Sequence, residues 1–320
     1  MIKKTVIKKM ILTMAIVFSI SLMYFLPGKE KNNQFKEEVT YTNNEVTQSI
    51  VYLLDNSNLL GRTKVVTNET NIQMKAKELL EILIKDGKGE SKIPSGFQSI
   101  IPSDTKIISV EVEKDLIKVN FSNDLLDVKA EMEEKIIEAI VYTLTNIEGI
   151  KQVIIYVDGN VLSYLPKSKV HLPSTLDRSY GINKEYDLKS YKNVNSVVVY
   201  YVSKYNDNTY YVPVTKYLND DRDKIKIIID ELASSPLYHS NLMSYLNNNV
   251  NLLATEQELD TMKLVFDDYV FQDANSKNIL EEVIYTISLS IGDNYDVNEV
   301  VFEVGDEEIC KSVIKTIENS

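Results

Sequence analysis

The chain contains one pattern twice. Val51-Tyr52 recurs as Val199-Tyr200, and Val65-Val66-Thr67 as Pro213-Val214-Thr215, at the same offset. Ala76, Leu79, Leu80 and Leu83 recur as Ile225, Ile228, Ile229 and Leu232. Phe97, Ser99, Ile101, Ile107, Ile108, Glu111 and Phe121 match Leu242, Ser244, Leu246, Leu252, Leu253, Glu256 and Phe266 without a gap. Tyr142-Thr143 is matched with Tyr285-Thr286, and Val153-Ile154-Ile155 with Val300-Val301-Phe302. Core positions that stay in step over a whole module require one fold used twice. A length of 320 residues agrees with two domains.

Periodicity gives the content of the module. Ser49–Leu54 and Arg62–Thr67 read as a hairpin about the turn cluster 56–61. Ala76, Leu79, Leu80 and Leu83 lie at helical spacing. Lys106–Val112 and Leu116–Phe121 form a second hairpin about Lys114-Asp115. Ile136, Ile137, Ile140, Val141 and Leu144 mark an amphipathic helix, and Val153–Val157 a last strand before Asp158-Gly159. The expected fold class is therefore α+β: two tandem β-β-α-β-β-α-β modules, with the helices on one face of a small sheet. The boundaries read as 48–162 and 196–310, with a linker at 163–195, a tail at 311–320 and separate folding of each module.

The N-terminus reads as a targeting segment. Lys3, Lys4, Lys8 and Lys9 precede an apolar run from Met10 to Leu26. A transmembrane helix within residues 1–28, basic end in the cytoplasm, is expected. A cleaved signal peptide is the alternative. No cysteine lies near the run to carry a lipid. Residues 29–47 are a polar tether, and the remainder is then extracytoplasmic, held at the cell membrane by a single pass.

At this point the residues resemble a known family, the GerM domain of sporulation and spore-germination proteins. The resemblance rests on Val51-Tyr52-Leu53, on Gly96-Phe97-Gln98-Ser99-Ile100-Ile101-Pro102 and on Val119-Asn120-Phe121-Ser122. It continues through Tyr142-Thr143-Leu144, Val153–Gly159 and the linker segment Arg178–Glu185, and covers 49 to about 305. The second copy has Asn241 and Asn247 where the first has Gly96 and Pro102. The resemblance implies a membrane-tethered, non-catalytic protein that assists assembly of an envelope complex in spore formation or germination. It also implies a fold similar to the ring-building modules of secretion-type machines.

Composition narrows the chemistry. A net charge of -12 argues against nucleic acid, whose phosphates need clustered Lys and Arg. His171 and His239 are the only histidines and Cys310 the only cysteine. The acids Asp220-Asp221-Arg222-Asp223 read as a helix start, and Asp267-Asp268 as a solvated strand end or turn. Asp293–Glu299 lacks the rhythm of a calcium loop. Gly87–Gly96 lacks that of a phosphate loop. No catalytic, metal or cofactor residues are assigned.

One cluster stands out: nine tyrosines lie between Tyr180 and Tyr217. Tyr is a good strand former, but also an interface residue. Tyr200, Tyr201, Tyr210 and Tyr211 are expected to line an edge hairpin that meets an envelope protein, with Pro213 marking an edge or a strand end. The leading function is a scaffold or protein-binding role. The alternative is a cell-wall or small-ligand binding module, which should show exposed aromatics beside carboxylates and amides; a hydrolase is a distant third.

Overall fold

The computed structural model describes residues 47–234, 241–273 and 277–314. The expected anchor and all of the tether but Thr47 lie outside the described residues. Among the described residues no helix is long and apolar enough to cross a membrane.

The first module runs β1 (Thr47–Asp55), β2 (Leu60–Thr67), α1 (Ile72–Leu83), β3 (Phe97–Gln98), β4 (Ile107–Glu113), β5 (Leu116–Phe121), α2 (Ala130–Leu144), β6 (Gln152–Val157) and β7 (Asn160–Val161). The linker holds β8 (Glu185–Asp187). The second module runs β9 (Asn195–Tyr205), β10 (Asn208–Leu218), α3 (Lys224–Ala233), β11 (Leu252–Glu258), β12 (Thr261–Phe266), α4 (Glu281–Asn294), β13 (Glu299–Val304) and β14 (Glu307–Val313). Local chemistry starts the first helix of each module. The Asn71 side chain accepts from Met74 N at 3.1 Å, and that of Asp223 from Ile225 N at 2.9 Å. The acidic run 220–223 thus ends in a cap.

The α+β class is as expected; the sheet arrangement is not. Each module splits its strands between two sheets. β4-β5-β6-β7 and β11-β12-β13-β14 form separate four-stranded sheets, with β5–β6 and β12–β13 parallel. The first hairpins of both modules join one six-stranded sheet in the order β3-β1-β2-β10-β8, with β9 on β10. The split has a physical cause. Along most of β1 a helix, not a strand, covers the outer edge: Thr143 Oγ1 accepts from Tyr52 N at 3.1 Å. On β9, Ser290 Oγ accepts from Tyr200 N at 2.9 Å, and Asn294 takes both backbone groups of Val198. An edge closed by helix side chains adds no further strand there.

These contacts also correct the repeat. Thr143 is equivalent to Ser290, not to Thr286, so the sequence match of Tyr142-Thr143 with Tyr285-Thr286 is out by one helical turn. The buried stripes agree, with Ile136, Ile140 and Leu144 in α2 against Val283, Ile287 and Ile291 in α4. A turn of slip keeps most of an i, i+4 stripe apolar, so the pattern alone does not fix its own phase.

The linker is packed. Leu165, Leu172, Leu176 and Ile182 are buried, and β8 pairs in parallel with β10. β14 runs to Val313, past the expected end of the module at 310. The described residues of both modules fall in one compact unit.

Candidate functional site

The polar chemistry inside the molecule is concentrated where the modules meet. β2 and β10 pair antiparallel at Arg62 and Tyr211. Equivalent tyrosines then face each other, with the Tyr52 and Tyr200 hydroxyls 3.0 Å apart. Like surfaces meeting in this way form an isologous contact inside one chain. The Tyr200 hydroxyl donates to Asp293 Oδ2 at 2.8 Å, so Tyr52 is the donor to Tyr200. Arg178, from the linker, donates to Asp293 Oδ1 at 2.5 Å and to Asn146 Oδ1 at 3.2 Å. Its guanidinium lies 4.8 Å from the Tyr142 ring centroid and 5.9 Å from that of Tyr52. Burial opposes the Arg178 charge, but Asp293 and the surrounding tyrosines outweigh it and hold its pKa well above the ordinary value. Burial and Asp293 push the Tyr200 phenol well above the usual range, so it stays a neutral donor.

Two further groups complete the clasp. Tyr210 donates to Asp55 Oδ2 at 2.9 Å, accepts from Ser203 at 2.9 Å and packs edge-on against Phe97. Asn183, buried at φ +46, accepts from Leu60 N and donates to the carbonyls of Leu60 and Pro213, all at 2.8–2.9 Å. Asn is one of the few residues that take that backbone region readily. Glu138 accepts from Asn183 N at 2.9 Å and lies 3.6 Å from Lys184. Burial, partly offset by Lys184 and that bond, raises the Glu138 pKa to about 7.

The loops lock the modules in complementary fashion. Gly96, at φ +93, lies against the Tyr205 ring so closely that a Cβ would sit 2.6 Å from it. At the equivalent place Asn241 donates to Ser57 Oγ at 3.2 Å. Where the opposing hairpin carries a ring the loop has glycine, and where it carries a serine the loop has a hydrogen-bonding side chain. This accounts for Asn241 standing in place of Gly96.

The structure corrects the expectation for the four tyrosines. Tyr200, Tyr201 and Tyr210 are 1%, 2% and 9% exposed, and Tyr211 is half-buried with its ring 5.6 Å from that of Tyr285. Tyr201 donates to Glu231 at 3.4 Å. The hairpin offers no free edge: α4 closes that of β9, and β10 has β9 on one side and β2 and β8 on the other. Pro213 falls between the β2 and β8 pairings, where Asn183 takes its carbonyl, so no ladder bond misses its N–H. Large rings with polar tips suit a junction that is apolar in bulk and hydrogen-bonded at points. Sequence reasoning missed Arg178, Asn183, Glu138 and Asp293; the available signal was a charged, Tyr-bearing linker too long for a bare connection.

The other residues singled out have structural partners. Ser99 and Ser244 each clip their loop to the end of a helix, donating to the carbonyls of Ile82 at 2.8 Å and Leu232 at 2.5 Å. His171 packs on Tyr164, and His239 lies outside the described residues. Asp267 accepts from Asn251, while Asp268 opens a short 3-10 turn. Burial pushes the Cys310 thiol up, away from a reactive thiolate. Among the described residues no three His, Cys, Asp or Glu side chains form a group suited to a metal.

A family model described as "Sporulation and spore germination" (Germane) matches residues 50–163 and 198–310. The spore germination protein GerM of Bacillus subtilis (strain 168) is 32% identical over 235 residues, 72% of this chain. The match spans 64% of that relative's length. The solved tandem GerMN domains of the sporulation protein GerM from Bacillus subtilis superpose with a TM-score of 0.75 at 28% identity, covering 82% of this chain and 92% of that one. With both modules matched, the chain belongs to the Germane family of sporulation and spore germination proteins and carries two copies of its domain.

Proposed function

We propose that the protein is a membrane-anchored, extracytoplasmic scaffold without catalytic function, binding envelope proteins during spore formation or germination. The relative's name supports the process, and the N-terminal sequence supports the anchor. One structural observation carries the binding role. β4 and β11 are equivalent edge strands, and each is bulged at an equivalent residue, Ile108 and Leu253. Those side chains are 54% and 62% exposed. A single exposed apolar residue needs no explanation. Two at matching bulges do, because a bulge re-aims its side chain and both copies keep a large apolar residue there. The clasp holds both edges on one body, so a partner meets two like contacts at a fixed spacing.

Two measurements test this. A reporter fused after Ser320 should be active only outside the cytoplasm, and activity inside would refute the topology. The double variant Ile108→Asp, Leu253→Asp should keep its circular dichroism and lose most of the envelope proteins that crosslink to the wild type. Unchanged recovery would refute the edges as the binding surface.

A further inference from the structure

The linker carries aromatic rings that neither the core nor the clasp uses. Tyr186 is 66% exposed and Tyr191 is 96% exposed. Tyr186 stacks on Tyr217, with centroids 4.9 Å apart and planes at 12°, so one face is backed and the other open. The loop bearing Tyr191 is tied down by Asn219. Asn219 Oδ1 accepts from Lys189 N and Ser190 N at 2.8 and 2.9 Å, and Nδ2 donates to the carbonyls of Ser190 and Lys192 at 3.0 and 2.8 Å. A ring on a held loop backbone gives up only its own side-chain torsions when a ligand covers it.

Tyr186 and Tyr191 border a shallow, open depression of about 420 Å³ together with Leu188, Lys189 and Ser190. Lys189 is shared with an adjoining cleft that contains Asp187, Asp220, Arg222 and Asp230. Arg222 is fixed there between Asp220, at 2.7 Å, and Asp230, at 2.5 Å. Open ring faces thus adjoin fixed donors and acceptors, in two clefts set side by side.

We propose that this double cleft binds an uncharged oligosaccharide, as found in a cell-wall glycan. A pyranose ring presents a flat C–H face and a rim of hydroxyls. The faces suit Tyr186 and Tyr191, and the hydroxyls suit carboxylates, an amide and a guanidinium, which together accept and donate. Asp187, Asp220, Asp230 and Glu231 outnumber Lys189 and Arg222 and disfavour a phosphate ligand. Two adjoining clefts fit a chain of sugars better than one. The proposal needs an extracytoplasmic site but not the bulged edges, so the two binding readings can fail separately.

The test uses the full chain in detergent micelles, with a soluble tetramer of N-acetylglucosamine and purified peptidoglycan sacculi as probes. Saturable binding to at least one probe is expected. Tyr186→Ala and Tyr191→Ala should each weaken it at least tenfold, while Tyr186→Phe, which keeps the ring, retains most of it. Tyr269→Ala removes a ring 55% exposed outside both clefts and should change nothing. Binding to sacculi but not to the tetramer would assign the ligand to the intact wall polymer. No binding to either probe, or equal binding by both alanine variants, would overturn the proposal. So would loss of a crosslinked envelope protein in those variants without any sugar binding, which would make the surface a protein contact.

Discussion

Arg178→Ala should destabilise both modules together, by about 3–5 kcal/mol. Arg178 comes from the linker, but its partners belong to both modules: Asn146 and the rings of Tyr52 and Tyr142 in the first, Asp293 in the second. Removing the guanidinium leaves the Asp293 carboxylate with only the Tyr200 hydroxyl beside it, in a site where its side chain is 14% exposed. Stranding one member of a buried pair costs more than the pair itself contributes. Thermal melts followed by circular dichroism should show one transition in the wild type and one lower transition in the variant. Hydrogen exchange should rise in α2 and α4 alike. If only one helix loses protection, the modules are independent and the clasp is not cooperative. Arg178→Met combined with Asp293→Leu should cost less than either single change, because neither partner is then left charged and alone.

The second large effect concerns pH. Glu138 has a folded-state pKa of about 7 against an ordinary 4.5. In that window the folded state holds the Glu138 proton more tightly than the unfolded chain does. Stability from this group is therefore complete below about pH 4.5 and is lost as pH rises towards 7 and beyond, at up to about 1.4 kcal/mol per pH unit. Glu138→Gln carries no titrating proton and can still accept from Asn183 N. The wild type minus variant difference in unfolding free energy should fall steadily between pH 4.5 and 7.5, favouring the variant at the upper end. Taking the difference cancels every contribution that is the same in both proteins. A flat difference would mean that Lys184 neutralises the burial cost in full.

Much of the fold was legible because each module needs its own apolar pattern. The hairpins about Lys114-Asp115 and 56–61, the helical stripes and the strand at 153–157 all follow from periodicity. The splitting of each sheet did not, because nothing in the pattern of β1 says that Thr143 will cap its Tyr52 N–H in place of another strand. The phase of α4 was lost for a related reason: Thr286 and Ser290 lie one turn apart on the same face. The tyrosines were the instructive case. Tyr200 and Tyr210 do mark an interface, but its partner is the first module, while the rings of Tyr201 and Tyr211 pack within the second. Periodicity gives the face on which a ring lies, and leaves open whether a distant part of the same chain covers that face. Arg178 and Asp293 lie 115 residues apart, and a pairing over that distance leaves no trace in either local sequence.

The unlike locks at the two loops bear on heredity as well as on shape. Gly96 facing Tyr205, and Asn241 facing Ser57, are a narrow fit in one case and a hydrogen bond in the other. A dimer of two first modules would set Gly96 against Ser57 and leave a void; a dimer of two second modules would press Asn241 into Tyr205. Each half is thus tuned to its opposite, as in a homodimer that became a single gene and then lost its interchangeability. Recombination that duplicated one module at the expense of the other would be penalised at this joint, and the presence of one copy of each is guarded by a side chain that one of them cannot carry.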